Sequence, residues 1–497
     1  MVFAANFVGP DIPWAQIVPL LLLLGGTCAL LLLGTLVPRW PAAASATLTI
    51  VTASAAIVAS IVKWNWLYSN KGNTYIADAI AVDRFSVFLT IVICGAVIGS
   101  ALLMSTHLQR NDSEGPELYA LFLTAAIGAV VMVSANDLIV MFLGLETLSL
   151  SLYLLAASNR RREQSQESGL KYFVLGGFAS AFFLYGIALV YGGTSRTSIS
   201  GINTSVTTLV SIGNSDALLL VGIGLLIIGL AFKVSAAPFQ VWTPDVHEGA
   251  PTPVTSFMAS AGKVAAFAAM LRLLTAGLGG RADDWRPVIW ALAILTVFVG
   301  SIMAVVQTNV KRMLSYSSIS HAGFILVGVE AAGHRTGDGL NSSVAYLAIY
   351  TVLVLGSFAI VLALSGANDD LTSLDDFKGL AKRRPSLALA FSVLLFAQAG
   401  VPFTSGFVAK FGVIKSAVEV NSYAIAIAAM VAAVIGAYLY LRIVVSMWLE
   451  EPAVTEKLDV SKPIVAVIVL SVAFTLLIGF FPSILLNAAE LVRFAPK

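Results

Sequence analysis

Apolar runs of about 20 residues recur along this chain from near residue 15 to near residue 485, and each can cross a hydrocarbon core roughly 30 Å thick. The connections between them are short and polar. Of the 497 residues, 58% are hydrophobic and only 11% are charged. A soluble fold of that size has too little polar surface to cover so much apolar surface. The expected fold is therefore an all-α polytopic membrane protein with about fourteen transmembrane helices, near 15–37, 43–67, 79–106, 117–135, 137–157, 169–192, 217–243, 251–277, 287–307, 312–330, 341–365, 386–417, 423–449 and 463–485. The first run, PLLLLLGGTCALLLLG, lacks a basic leader, and Pro38, Arg39 and Trp40 make a poor cleavage site, so it reads as a span. The longest polar connections, near 193–216 and 366–385, are too small for a soluble domain.

Composition also narrows the chemistry. A net charge of +2 gives no argument for nucleic acid. Cys28 and Cys94 lie in apolar runs without metal-ligand spacing, and His107, His247, His321 and His334 are scattered. Neither a phosphate-binding loop nor a dinucleotide fingerprint is present. The expectation is a chain with no metal site, no catalytic redox group and no cofactor of its own.

Orientation is read from lysine and arginine bias in the loops. An outside N-terminus puts Arg39, Arg110, Arg160, Arg161, Arg162, Lys311, Arg312, Lys378, Lys382, Arg383, Arg384, Lys457 and Lys462 in the cytoplasm. Lys63, Lys71, Arg84, Arg196, Arg281, Arg286, Arg335, Lys415, Arg493 and Lys497 then face the other side. The triplet at 160–162 is the most local part of that bias.

Two spans are interrupted. GLAFKVSAAPFQVWTPDVHEGAPTPV (229–254) and LLFAQAGVPFTSGFVAKF (394–411) each set a Pro-Phe pair and a lysine inside an apolar run. Pro238 and Pro402 remove a backbone donor and open the helix around them. Backbone freed at that depth has to be buried in protein or line a wet cavity, and paired breaks in matching halves point to a transport path near the midplane. The flanks read as a repeat of about five helices, spans four to eight and nine to thirteen. Prolines tolerated without function are the plainer alternative for one such helix, less so for two that each carry a lysine.

Ionisable residues within the spans follow the same logic, since each costs at least about 2.5–3.5 kcal/mol to insert. Glu146, Lys171, Lys233, Lys263 and Lys410 are the candidates, with Lys233 about 16 residues, roughly 24 Å, into its helix. A dry interior favours a neutral amine, so buried lysines suit proton exchange at physiological pH. A Glu146–Lys171 ion pair that forms and breaks is expected to tune Lys233. Lys171, near a helix start, can instead simply snorkel to the surface. Glu146 can pair without changing state, and His321 reads equally as a satisfied core residue or as a relay between Lys263 and Lys410.

At these residues the chain resembles the antiporter-like membrane subunits of proton-pumping NADH:quinone oxidoreductase, respiratory complex I, and among them the subunit N (subunit 2) group. The resemblance rests on FLGLETLSLSLYLL, ESGLKYFVLGGFASAFFLYGIALVYG, FKVSAAPFQVWTPDVHEGAPTPV, KRMLSYSSISHAGF and AGVPFTSGFVAKF, and covers nearly the whole chain. It implies two inverted five-helix repeats at 117–280 and 281–450, between N-terminal helices at 1–116 and a C-terminal helix at 451–497. It implies Glu146 and Lys171 as the coupling pair, Lys233 as the first-half proton site, Lys263 as the connecting lysine and Lys410 as the exit-side site. Quinone, FMN and iron–sulfur clusters are implied in partner subunits of a hetero-oligomer, in a bacterial plasma membrane or, alternatively, a thylakoid. The family commonly has histidine after the first Pro-Phe, where this chain has Gln240, with His247 following. No helix beyond the fourteenth argues against the subunit L group, and WTPDV favours N over M. A sodium/proton antiporter subunit or a membrane-bound hydrogenase subunit is the alternative reading.

Overall fold

In lipid every backbone polar group needs an internal partner, and Leu- and Ala-rich segments satisfy that rule as helices. The computed structural model describes residues 12–37, 42–111, 115–211, 216–334, 338–366, 368–452 and 460–495. Pro38, Arg39, Trp40, Arg335, Lys457 and Lys497, used above, lie outside the described residues.

The N-terminal group is α1 (Val18–Leu36), α2 (Ala42–Ser69) and α3 (Arg84–Arg110). Next come α4 (Pro116–Ser134), α5 (Leu138–Ala156), α6 (Glu163–Thr194), α7 (Ile199–Ser211), α8 (Ala217–Val234), α9 (Trp242–Gly249), α10 (Thr252–Phe257) and α11 (Lys263–Leu271). The second half holds α12 (Ala282–Val305), α13 (Val310–Ala332), α14 (Gly339–Leu364), α15 (Leu380–Arg383), α16 (Pro385–Ala399), α17 (Ser405–Glu419) and α18 (Tyr423–Leu449), followed by α19 (Lys462–Phe480) and α20 (Ser483–Glu490). Side chains start several of these helices. Asp137, Asp216 and Asn309 accept hydrogen bonds from the first free N–H groups of α5, α8 and α13, and Asp83 with Ser86 makes a reciprocal cap on α3.

Twelve helical stretches among the described residues are long and apolar enough to cross a membrane. The other two expected spans fall on α13, which carries Lys311, Arg312, His321 and Glu330, and on the interrupted pair α16–α17. Elements not foreseen include the hairpin β1 (Asn73–Tyr75) and β2 (Ile80–Val82), pairing Asn73 with Val82, the polar helix α7, and the short α9, α15 and α20. Each is too short to cross a membrane, so a search for apolar runs passes over them.

The loops gather at two ends. Arg162 lies 3.8 Å and Lys311 3.0 Å from Asp369, so the α5–α6, α12–α13 and α14–α15 connections share one end. The hairpin, the α4–α5 turn and the start of α7 meet at the opposite end, where Asn136 donates to the Ala79 carbonyl and Asp137 pairs with Ser198. At the centre stand α14 and the 252–277 helix, each 94% buried in its most apolar window, against 22% for α1 and 33% for α19. Exposed Leu, Val and Phe side chains on the outer helices make an apolar girdle.

Candidate functional site

Each charged candidate depends on a local departure from regular helix. α8 ends at Val234, and Ser235 takes a positive φ of 64°. The chain then runs irregularly past a cis Ala237–Pro238 bond until α9 begins at Trp242. The freed Ala237 N–H donates to Thr296 Oγ1 of α12 at 2.9 Å, which meets the demand that no backbone group be stranded. Lys233, one residue before the break, is 7% exposed. Among the described residues its Nζ has no hydrogen-bonding side-chain or backbone partner, and it lies over the rings of Tyr172 at 5.0 Å and Tyr153 at 5.3 Å.

The second break has the same plan with a different closure. α16 ends at Ala399, Gly400 turns the chain at φ 92°, and Phe403 sits at φ 65° before α17 begins at Ser405. Lys410 reaches back and donates to the Ala399 carbonyl at 3.0 Å, so the amine satisfies an acceptor that the break exposes. Its Nζ also lies 4.8 Å from the centre of the Phe324 ring.

Lys263 sits at a third irregularity, a π-helical stretch at Met258–Gly262 between α10 and α11. Such bulges re-aim side chains and are frequent at functional sites. Lys263 donates to the Ser318 carbonyl of α13 at 2.6 Å, bridging the two halves. From there two hydrogen-bonded sets of polar side chains lie along α13 and its neighbours, meeting where the His321 and Tyr350 rings stand 5.1 Å apart. Tyr350 donates to Ser318 Oγ at 2.7 Å, Tyr346 Oη and His321 Nδ1 are 2.6 Å apart, and Tyr440 Oη lies 3.3 Å from His321 Nε2. Tyr440 and Ser317 share a 2.6 Å hydrogen bond, and Ser317 donates to Gln398 at 3.3 Å. His321 and Lys410 line one cavity of about 10 Å³, near the size of one water. Lys263 is thus bonded to the first set and His321 to the second, Lys410 shares a cavity with His321, and Lys233 is hydrogen bonded to neither set.

The expected Glu146–Lys171 ion pair is not formed. Lys171 turns toward the loop end, where it binds Glu167 at 2.7 Å and Asp245 at 2.9 Å. The reason is a competing carboxylate on α9 that spacing along α6 cannot reveal. Glu146 keeps a buried Oε1 with no hydrogen bond, and it lies within electrostatic reach of Lys233 and Tyr153 instead. Asp245 also binds Arg312 at 2.7 Å, and Arg312 binds Glu248 at 2.8 Å. Partial burial alone would raise the Asp245 carboxyl, but Lys171 and Arg312 outweigh it and hold it below the usual range. This chain of ions lines a polar vestibule of about 820 Å³.

Several participants escaped the sequence reading. Tyr153, Tyr172, Tyr346, Tyr350 and Tyr440 lie in apolar runs where an aromatic residue reads as core. Asp245 and Arg312 look like loop charges. Among the described residues no group of three His, Cys, Asp or Glu side chains is placed to hold a metal ion.

The family described as NADH:quinone oxidoreductase/Mrp antiporter, TM, matches residues 135–436. The NADH-quinone oxidoreductase subunit N of Trichlorobacter lovleyi is 38% identical over 465 residues, covering 93% of each chain. That of Mycobacterium tuberculosis is 37% identical over 530 residues, covering 97% of this chain and 98% of its own. A chain of respiratory complex I from Thermus thermophilus with bound aureothin superposes with a TM-score of 0.81 at 31% identity, over 96% of this chain and 100% of that one. A chain of the Mrp complex from Dietzia sp. reaches a TM-score of 0.84 over 97% of both, but at 19% identity it shows likeness of fold alone.

Proposed function

The chain belongs to the NADH:quinone oxidoreductase/Mrp antiporter family, and from that membership we propose that Glu146, Lys171, Lys233, Lys263, His321 and Lys410 carry and gate protons within it. It is a multi-pass, proton-translocating membrane subunit of a hetero-oligomeric NADH-quinone oxidoreductase, and its bacterial relatives indicate the plasma membrane. In this reading the chain makes about fourteen crossings, with five-helix repeats at 117–280 and 281–450 related by inversion. Residues 1–116 and 451–497 flank them. Quinone, FMN and iron–sulfur clusters reside in partner subunits, where electron transfer supplies the energy.

One observation carries the proposal: Lys233 and Lys410 lie beside the two helix breaks, and Lys263 donates across to α13, which bears His321. Protons enter from the vestibule on the cytoplasmic side, pass Lys233, Lys263 and His321, and leave outside through Lys410. Lysine suits each step because a desolvated amine is stable with or without its proton, whereas arginine is not. Lys171 acts as the gate by leaving Asp245 and Glu167 for Glu146, which alters the charge felt by Lys233. The work per proton is about 2.3 kcal/mol for every 100 mV of opposing potential.

Replacing Lys233 by Ala in the assembled complex tests this. The ratio of protons pumped to electrons transferred is expected to fall while the complex stays intact. An unchanged ratio, or sodium-dependent transport without any electron donor, overturns the proposal.

A further inference from the structure

The polar route has a gap between Lys233 and Lys263. Lys233 rests on Tyr172, and Tyr172 stacks on Trp242 with ring centres 4.5 Å apart. Among the described residues no hydrogen bond continues from Lys233, and hydrogen bonding resumes at Lys263. His247 occupies the interval. It is on α9, the short helix between the first break and α10, and it is 1% exposed. Its ring stands edge-on to Trp242 at 6.0 Å, which makes it the next ring after the two that lead from Lys233. On its other side it lies within electrostatic reach of Lys263 and Lys311. Thr255 fixes this turn by donating to the His247 carbonyl at 2.9 Å.

A histidine kept for packing alone is normally satisfied by hydrogen bonds when buried. His247 is not, because its Nδ1 is buried without a hydrogen-bond partner among the described residues. The neighbouring acidic residues of α9, Asp245 and Glu248, are committed to Lys171 and Arg312 in the vestibule. That leaves the imidazole without a carboxylate to hold it in one protonation state.

We propose that His247 is a proton-transfer residue that links Lys233 to Lys263, an inference that rests on the route described under Proposed function. The unpartnered Nδ1 takes up a proton released by the Lys233 ammonium. The resulting imidazolium gives its Nε2 proton to the neutral amine of Lys263, with water bridging the remaining distance on either side. One proton enters the ring and one leaves it, and no other bond changes. The ring then returns to its first tautomer for the next transfer.

The test uses the whole complex in sealed proteoliposomes, with NADH oxidation and acidification of the lumen recorded together. His247→Gln keeps a hydrogen-bonding side chain that cannot titrate, and the ratio of protons to electrons is expected to drop to that of Lys263→Ala. His247→Gly is expected to show the same loss, recovered by added imidazole and not by pyrazole, which has the same size and is far less basic. A purely structural histidine would be replaced equally well by either molecule. Subunit content is checked on each preparation, and His247→Asn is scored where glutamine disturbs assembly. If Lys263→Ala lowers the ratio and the His247 variants do not, the inference falls and the proposed route stands without it. If Lys263→Ala leaves the ratio unchanged, the proposed route itself fails.

Discussion

Lys410 separates two roles that a buried lysine can play. Its hydrogen bond to the Ala399 carbonyl and its place over Phe324 are open to any cation, so a structural role tolerates arginine. A transfer role does not, because arginine effectively never releases its proton in a protein. Lys410→Arg in the assembled complex is therefore expected to retain electron transfer and lose the proton flux that passes this residue, measured as lumen acidification per NADH oxidised. Pumping at the wild-type ratio would return Lys410 to scaffolding. The ionisable residues at this scale were legible because charge in an apolar run is costly, and Glu146, Lys233, Lys263 and Lys410 stand out for that reason alone. Their partners were not. Lys171 finds Asp245, 74 positions away, and that choice depends on how α6 and α9 pack.

At the scale of elements, the breaks are held by close contact as much as by proline. A Cβ on Gly406 would stand 1.7 Å from the Ala397 carbonyl oxygen, across the second break. Gly406→Ala is expected to push α17 away from α16 at a cost of about 1–3 kcal/mol or more, read as reduced yield and melting temperature of the assembled complex. Glycines also set the spacing of α12 on α13, where a Cβ on Gly300 would meet the Ser320 nitrogen at 2.3 Å and one on Gly323 the Val297 nitrogen at 2.6 Å. The loop after α14 carries a second lock. Asp369 is wholly buried, binds Lys311 at 3.0 Å and accepts from the Thr252 backbone at 2.8 Å. Burial would raise its carboxyl, but Lys311 and His107 lead the groups that hold it below its ordinary value. A depressed carboxylate contributes its full stability above the unfolded value of about 3.9 and loses it as pH falls through the lower folded value. Asp369→Asn is expected to cost about 3–5 kcal/mol, since it strands Lys311. The stability gap between variant and wild type should be constant from pH 7 to about 5 and close below about 4, checked by melting at each pH.

For the whole molecule, the two ends differ in their contacts. The end bearing Arg162, Lys311 and Asp369 also bears the vestibule, while the hairpin and α7 cover the other. Arg160 and Thr204 are exposed at opposite ends. In inside-out vesicles an impermeant maleimide is expected to label Arg160→Cys and to reach Thr204→Cys only after detergent. The reverse pattern would invert the direction of proton flow assigned to the route. At this scale the central position of α14 and the 252–277 helix was not readable. The apolar content of α14 matches that of the outer helices, while that of the 252–277 helix is the lowest of the twelve. Depth in the bundle therefore does not follow hydropathy, which cannot tell lipid from protein as an apolar neighbour.

The sequence by itself determined that the chain lives in a bilayer as helices, where two of those helices break, and which charges are too deep to be ornamental. Those follow from local costs that each segment bears whatever surrounds it: backbone in hydrocarbon, proline in a helix, an amine without water. Only the tertiary structure decided that Lys171 faces Asp245 and not Glu146, that Lys263 rides on a π-helical turn toward Ser318, and that the His247 Nδ1 has no hydrogen bond among the described residues. Those outcomes are set by which side chains meet across helices, and distance along the chain carries no record of such meetings.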